Sequence, residues 1–258
     1  MFGPLDLLVP PILLFCTVLT LPFTLLLLPV TGRAGDLASI AKIRNAWFKH
    51  LWAWFGPGSK PIFAPRVQPI VSQAKGVCID VGPASGIWLK ELGDVVRRGA
   101  ITKIYGVEPN PNFQADLRKN AAKYGLEKVY QPIQAYVQDL EKFGVAKGSI
   151  DTIITVHVLC SVGDHSDQIC KDLYDYLKPG GHWLVYEHVV ARFAVTRAWQ
   201  KLLNLSWPIL LDQCELLRDT ESVLRNAGEW AAVDLRPSPG DGWFQGLPHV
   251  EGKLIKAG

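Results

Sequence analysis

The chain has 258 residues, 48 % apolar and 20 % charged, with a net charge of +3. This is a globular composition, of a length for one domain plus an appendage, and it argues against wholesale disorder. Residues 31–66 hold six bases (Arg33, Lys42, Arg44, Lys49, Lys60, Arg66) against one acid, Asp36, while residues 67–258 hold 21 bases and 22 acids. The basic character is thus a short collar, and with no basic stripe to track a phosphate backbone a nucleic-acid partner is disfavoured.

Residues 1–33 read as a hydrophobic membrane anchor. Leu7 to Val30 carries no charge and, as a helix of about 36 Å, would cross a hydrocarbon core of about 30 Å. Pro22 predicts a kink, which leaves open a spanning helix or two arms dipping into one leaflet. No Lys or Arg precedes the run, against a cleaved signal peptide. The collar places the following chain in the cytosol.

Residues 34–66 read as a basic, Trp-rich interfacial helix and linker. Asp36 to Phe55 has apolar positions at Leu37, Ile40, Ile43, Trp47, Leu51 and Trp54. Trp47, Trp52 and Trp54 suit a headgroup-level interface, or else the helix packs on the domain. Gly56-Pro57-Gly58-Ser59 is expected to end it.

From residue 67 to 258 strands and helices alternate. Strands are expected at Gly76–Val81, Ile101–Val107, Lys128–Ala135, Ser149–Val158 and His182–Val189. Helices are expected at Ser85–Val96, Asn112–Tyr124 and Ser166–Leu177, the last stopped by Lys178-Pro179-Gly180-Gly181. A helical stretch near 194–227 and two closing strands, Trp230–Leu235 and His249–Ile255, complete the pattern. The fold class is α/β, a doubly wound parallel sheet covered on both faces. The five cysteines (16, 78, 160, 170, 214) show no C-x-x-C, so neither a disulfide framework nor zinc spacing is visible, and they read as buried reduced thiols.

In such sheets ligands bind beyond the carboxyl ends of the strands, where strand order reverses. The first strand runs into Asp80-Val81-Gly82-Pro83-Ala84-Ser85-Gly86, and the second ends in Glu108, 26 residues after Gly82. Gly82 allows a sharp turn and Gly86 a close approach. Glu108 can accept both hydroxyls of a ribose. A dinucleotide favours G-x-G-x-x-G, but Ala84 replaces the middle glycine, and Asp80 would repel a pyrophosphate while favouring an ammonium. Acid, loop, acid therefore favours S-adenosyl-L-methionine, with an adenosine at one end and an aminocarboxylate at the other.

Asp80–Gly86, Glu108 and Leu177-Lys178-Pro179-Gly180-Gly181 resemble the class I S-adenosylmethionine-dependent methyltransferases. A narrower resemblance is to the membrane-anchored thiol S-methyltransferases of the endoplasmic reticulum, the methyltransferase-like seven family. It is carried by Glu108–Phe113, Gly148–Asp151, Val158–Val162, Glu187-His188-Val189, the pattern Asp212-x-Cys214-x-Leu216-x-Arg218, and Pro248-His249-Val250. The resemblance implies a Rossmann-like seven-stranded sheet. It implies cofactor contacts from Asp80, Gly82, Pro83, Ala84, Gly86, Glu108, Pro109 and Asn110, from Gln134 or Ala135 towards adenine, and from Thr155 and His157 at the end of the fourth strand. The chain departs from that family at Pro83-Ala84-Ser85, where the family has Cys-Gly-Thr, and in a longer Gln131–Lys147 stretch.

Methyl transfer from a sulfonium is an in-line displacement that mainly needs alignment and exclusion of water, and no metal is expected. A thiol supplies thiolate with little help, whereas a hydroxyl needs a stronger base. His188, Asp212 and His249 are the candidate catalytic residues, each with a structural alternative. The apolar stretch from Trp199 to Leu211 is either core or the lining of a pocket for a small lipophilic acceptor. The expectation is a methyltransferase acting on a lipophilic thiol, on an endoplasmic reticulum or lipid-droplet membrane and facing the cytosol. The alternatives are O- or N-methylation of a hydrophobic metabolite, or a non-catalytic membrane scaffold. The sequence leaves the oligomeric state open.

Overall fold

The computed structural model describes residues 3–258. Seven strands form one sheet: β1 (Gly76–Val81), β2 (Ile101–Val107), β3 (Tyr130–Ile133), β4 (Ile150–Val156), β5 (Leu177–His188), β6 (Trp230–Pro237) and β7 (His249–Lys256). Their spatial order is β3-β2-β1-β4-β5-β7-β6. The first five run parallel, and β7 pairs antiparallel with both β5 and β6. Strand order reverses between β1 and β4, which opens a crevice at their carboxyl ends. The Lys178–Gly181 turn lies within β5 as a bulge. Leu177 pairs with Ile150 and His182 with Thr152, and Gly180 takes a left-handed φ of 72°.

The helices are α1 (Val9–Val30), α2 (Ile40–Val71), α3 (Leu89–Arg97), α4 (Gln114–Lys123), α5 (Ser166–Tyr176), α6 (Ala194–Leu203), α7 (Trp207–Leu210) and α8 (Thr220–Arg225). On one face of the sheet Val67, Ile70 and Val71 of α2, Leu89, Leu92 and Val95 of α3, and Leu117 of α4 bury against Cys78, Ile104 and Leu184. On the other, Leu173 and Tyr176 of α5 and Leu224 of α8 bury against Ile79, Ile153, Trp183 and Val185. Both faces are covered, so the central strands are near-continuous apolar runs. The helix expected from Ser85 begins only at Leu89, because the chain from Gly82 to Gly86 is committed to a left-handed turn.

The second helix overturns its expected end at Gly56–Ser59. Opened by Ser39, whose hydroxyl accepts the Lys42 N–H, α2 runs 32 residues without interruption. Pro57, Pro61, Pro65 and Pro69 stand four apart and all face outward. Proline removes one helix hydrogen bond, but here every missing donor falls on one exposed stripe, so the carbonyls left without an N–H are open to solvent. Gly56 is a packing residue rather than a stop, since a Cβ there would lie 2.8 Å from the Trp52 indole nitrogen. Lys60 bonds Glu91 of α3 at 2.8 Å and fixes the long helix to the domain.

The first helix is likewise continuous through Pro22, which faces outward. Leu13, Thr17, Thr24 and Leu28 bury inward. The Trp47 indole N–H reaches Thr17 O and Thr20 Oγ1, both at 2.9 Å, and the Thr24 hydroxyl meets His50 Nδ1 at 2.8 Å. The outer face shows Ile12, Phe15, Leu19, Phe23 and Leu26 to the exterior. Pro4–Val30 is long and apolar enough to cross a membrane, with mean hydropathy 2.3.

Candidate active site

The carboxyl end of the sheet divides into an acidic half and an imidazole–thiol half. In the acidic half β1 gives way to Gly82, whose φ is 58° and where a Cβ would lie 2.3 Å from Val158 Cγ2. Only glycine suits both constraints. Pro83 and Gly86 close the turn through the Gly86 N–H to Pro83 O bond, and Gly86 (φ 78°) packs against Leu89 and Leu117. Ala84 is also left-handed (φ 50°), a conformation that costs a non-glycine residue about 1 kcal/mol or more. That strain aims its N–H at Glu108 Oε2 (2.9 Å), while the Asn110 N–H bonds Oε1 (2.8 Å).

Glu108 is buried beneath α2, where Asn45 O accepts the Asn110 side-chain amide at 3.0 Å. Burial pushes the Glu108 carboxyl up to about 7, against the pull of the Asn110 and Ala84 amides. Asp80 Oδ2 accepts the Tyr130 hydroxyl at 2.9 Å, and burial lifts its carboxyl to about 7 as well. Tyr130 reaches it across Gly106, where a side chain would strike the ring. Each carboxylate oxygen has two lone pairs, so capacity remains for a ligand's hydroxyl and ammonium donors. Beyond Glu108, Pro109, Gln134 and Ala135 line an open cleft with Tyr136, Asp139, Lys142 and Phe143. Tyr136 and Phe143 went unremarked in the sequence, although two exposed aromatics soon after a strand end are a signal for a flat ligand.

The other half holds a second cavity. Its roof is apolar: Leu13 of α1, and Phe48, Leu51, Trp52, Phe55 and Phe63 of α2. Trp207 of α7, Leu211 and Leu247 line its sides. His157, Cys160, His188, Cys214 and His249 supply its polar atoms. His157, just after β4, is left-handed (φ 57°) and half-buried. Its ring lies 4.7 Å from Phe63, 5.1 Å from Tyr186 and 5.0 Å from His249, with Nε2 unpartnered. Burial lowers the His157 imidazole to about 3 and that of His249 well below its usual value. For His188 burial also opposes the charged form, but the adjacent Cys160 sulfur outweighs it and the net shift is upward.

The structure therefore brings His188 and His249 together, and adds His157, which was assigned to the cofactor. Two expectations are corrected. Thr155 points into the core, fully buried, where its hydroxyl accepts the Trp183 indole N–H at 3.1 Å. Strand alternation sets it on the face away from the cleft. Asp212 does not line the second cavity. It sits in a left-handed turn (φ 47°), 3.2 Å from Arg44 of α2, with its carboxyl raised by burial against the Arg44 charge. The roof residues of α2 were missed because that helix was read as a separate interfacial element.

A family described as "Methyltransferase domain" matches residues 61–226. Thiol S-methyltransferase TMT1B of Homo sapiens is 28 % identical over 98 % of this chain and 100 % of its own length. Thiol S-methyltransferase TMT1A of Homo sapiens is 27 % identical over 81 % of this chain and 91 % of its own. Among solved structures, an O-methyltransferase family protein from Burkholderia thailandensis covers 92 % of this chain and 71 % of that one, at 18 % identity and a TM-score of 0.59. The S-adenosylmethionine-dependent methyltransferase SibL covers 81 % of this chain and 59 % of that one, at 19 % identity and a TM-score of 0.57. At those identities the solved structures speak for the fold.

Proposed function

The chain belongs to the methyltransferase-domain family and uses S-adenosylmethionine, and from that premise we propose that it methylates the sulfur of a small lipophilic thiol at a membrane surface. When bound, the cofactor supplies an electrophilic methyl group on a sulfonium. Glu108 accepts the ribose hydroxyls, the Gly82–Gly86 turn leaves room for the backbone to approach, and Asp80 faces the ammonium end. Pro109, Gln134 and Ala135 line the adenine side. The observation that carries the acceptor reading is the second cavity, apolar above and imidazole–thiol below, next to the donor cleft. An apolar enclosure strips water from a sulfur nucleophile and holds it in line. Burial keeps His157 and His249 uncharged, so the cavity admits an apolar molecule without a buried cation beside it. The names of the TMT1B and TMT1A relatives support a thiol over an alcohol.

The apolar outer face of α1 enters the bilayer, on endoplasmic reticulum or lipid droplets, with the catalytic domain in the cytosol. Exposed Leu202, Leu205 and Ile209, on and beside α6 and α7, extend that apolar surface. An acceptor dissolved in lipid then has a short path to the cavity under Leu13. Membranes carrying the protein, given labelled donor and matched thiol and alcohol analogues, test this reading. Labelled thioether is expected, and labelled ether alone would refute it.

A further inference from the structure

Three segments far apart in sequence meet on the floor of the acceptor cavity. Cys160 lies in the turn after β4, His188 ends β5, and Cys214 follows α7. Cys214 Sγ is 3.3 Å from Cys160 Sγ and 3.0 Å from His188 Nε2, and all three ligand atoms lie within 4.8 Å of one another. A tetrahedral zinc ion, with Zn–S of about 2.3 Å and Zn–N of about 2.0–2.1 Å, needs ligand atoms roughly 3.5–3.8 Å apart. Cys214 Sγ reaches that spacing from both Cys160 Sγ and His188 Nε2 by opening each gap about half an ångström.

The supporting frame is already built. The buried Glu187 carboxylate accepts the N–H groups of Val158 (3.0 Å) and Leu159 (3.2 Å), which holds the Cys160 turn. The Glu215 N–H bonds Cys160 O at 2.9 Å, tying the two cysteine-bearing segments to each other. Asn204 clamps the second of them through the Leu216 N–H (2.9 Å) and Glu215 Oε2 (2.8 Å).

We propose that Cys160, His188 and Cys214 bind one zinc ion, leaving a fourth position open to the acceptor cavity for the substrate sulfur. Two thiolates, a neutral imidazole and a divalent cation sum to zero charge, which suits a buried site. Three protein ligands and one open position is the pattern of a catalytic rather than a structural zinc. This role rests on the thiol-acceptor reading. The acceptor thiol binds as thiolate, its proton passing to water. Its sulfur lone pair then forms the new carbon–sulfur bond as the sulfonium–methyl bond breaks, with that bond's electron pair staying on the donor sulfur. The neutral thioether product is a weak ligand and departs. A free thiol is only a few per cent thiolate at neutral pH, so ligation increases the reactive form about tenfold or more. His188 Nδ1 has no hydrogen-bond partner among the described residues. Lacking that outer support, the ion is held about 10–100-fold more loosely than in a fully braced site and exchanges with chelators.

The test uses the full chain in detergent micelles, without a polyhistidine tag, stripped of metal and titrated with cobalt(II). One equivalent is expected to give thiolate-to-cobalt charge-transfer absorption and the visible bands of four-coordinate cobalt. Zinc should abolish them and hexanethiol, but not hexyl methyl sulfide, should shift them. Cys160→Ser with Cys214→Ser should lose the bands while still binding donor by calorimetry. Should that pair not fold, His188→Gln must weaken cobalt binding at least tenfold. Absence of charge-transfer bands with both thiols reduced, or a Cys160–Cys214 disulfide as the resting form, overturns the metal site. Cobalt bands without methylation of any thiol would instead defeat the thiol-acceptor reading and leave the ion in place.

Discussion

The two halves of the sheet's carboxyl end are built on opposite terms. Around β1, β2 and β3 the functional groups are carboxylates bonded to backbone amides and a tyrosine hydroxyl. Around β4, β5 and β7 they are imidazoles and thiols beneath a roof of leucine, phenylalanine and tryptophan. The first half offers hydrogen-bond acceptors, which suit a ligand rich in hydroxyl and ammonium donors. The second offers apolar area and uncharged imidazoles, which suit the lipophilic acceptor proposed above. The donor half is assembled from three consecutive strand ends, whereas the acceptor half needs α1, α2 and the α7 region to close over it.

Trp207→Ala should break the acceptor half alone. Removing this buried indole costs about 3–5 kcal/mol of stability and raises KM for the thiol, with donor affinity unchanged by calorimetry. A parallel loss of donor affinity would mean that the halves are not separate. Glu108→Ala is the complementary change. It removes two charge-assisted hydrogen bonds to the ribose, together about 3 kcal/mol, and so weakens donor binding about 100-fold. Unaltered affinity in a calorimetric titration would remove Glu108 from the site.

Thr155→Val sharpens the boundary between the halves and the core. It leaves the Trp183 indole N–H unpaired, so a thermal melt should show a loss of about 1–3 kcal/mol with donor Kd unmoved. A further test concerns pH. Burial raises the Glu108 carboxyl from 4.5 to about 7. Between those values the unfolded chain has given up the proton and the native state keeps it, so stability falls as pH rises through that window. Glu108→Gln should flatten that part of the stability–pH curve of the donor-free protein. In the wild type, donor affinity should rise through pH 7 as the carboxylate ionises. A stability–pH curve identical in Glu108→Gln and wild type would rule out this assignment.

Much of the acidic half was legible because it is local. A short β-branched run, a glycine turn and a carboxylate at the next strand end are contiguous features, and Asp80, Gly82 and Glu108 lie together at the carboxyl ends of β1 and β2. Thr155 was misplaced because a strand's two faces cannot be told apart when both are buried. The end expected for α2 failed because prolines and glycines were read as breakers one at a time. Their four-residue spacing, which puts every missing hydrogen bond on one solvent stripe, carries the opposite meaning.

The sequence by itself determined the alternating α/β order, the apolar leader with its basic collar, and the acid–turn–acid signature, all of them properties of neighbouring residues. Only the tertiary structure decided that the leader and collar helices roof an apolar cavity, and that Cys160, His188 and Cys214 converge on its floor. Spacings of 28 and 26 residues carry no ligand signal. They become a site only when β4, β5 and the chain after α7 are brought to one edge of the sheet by burial of their apolar faces.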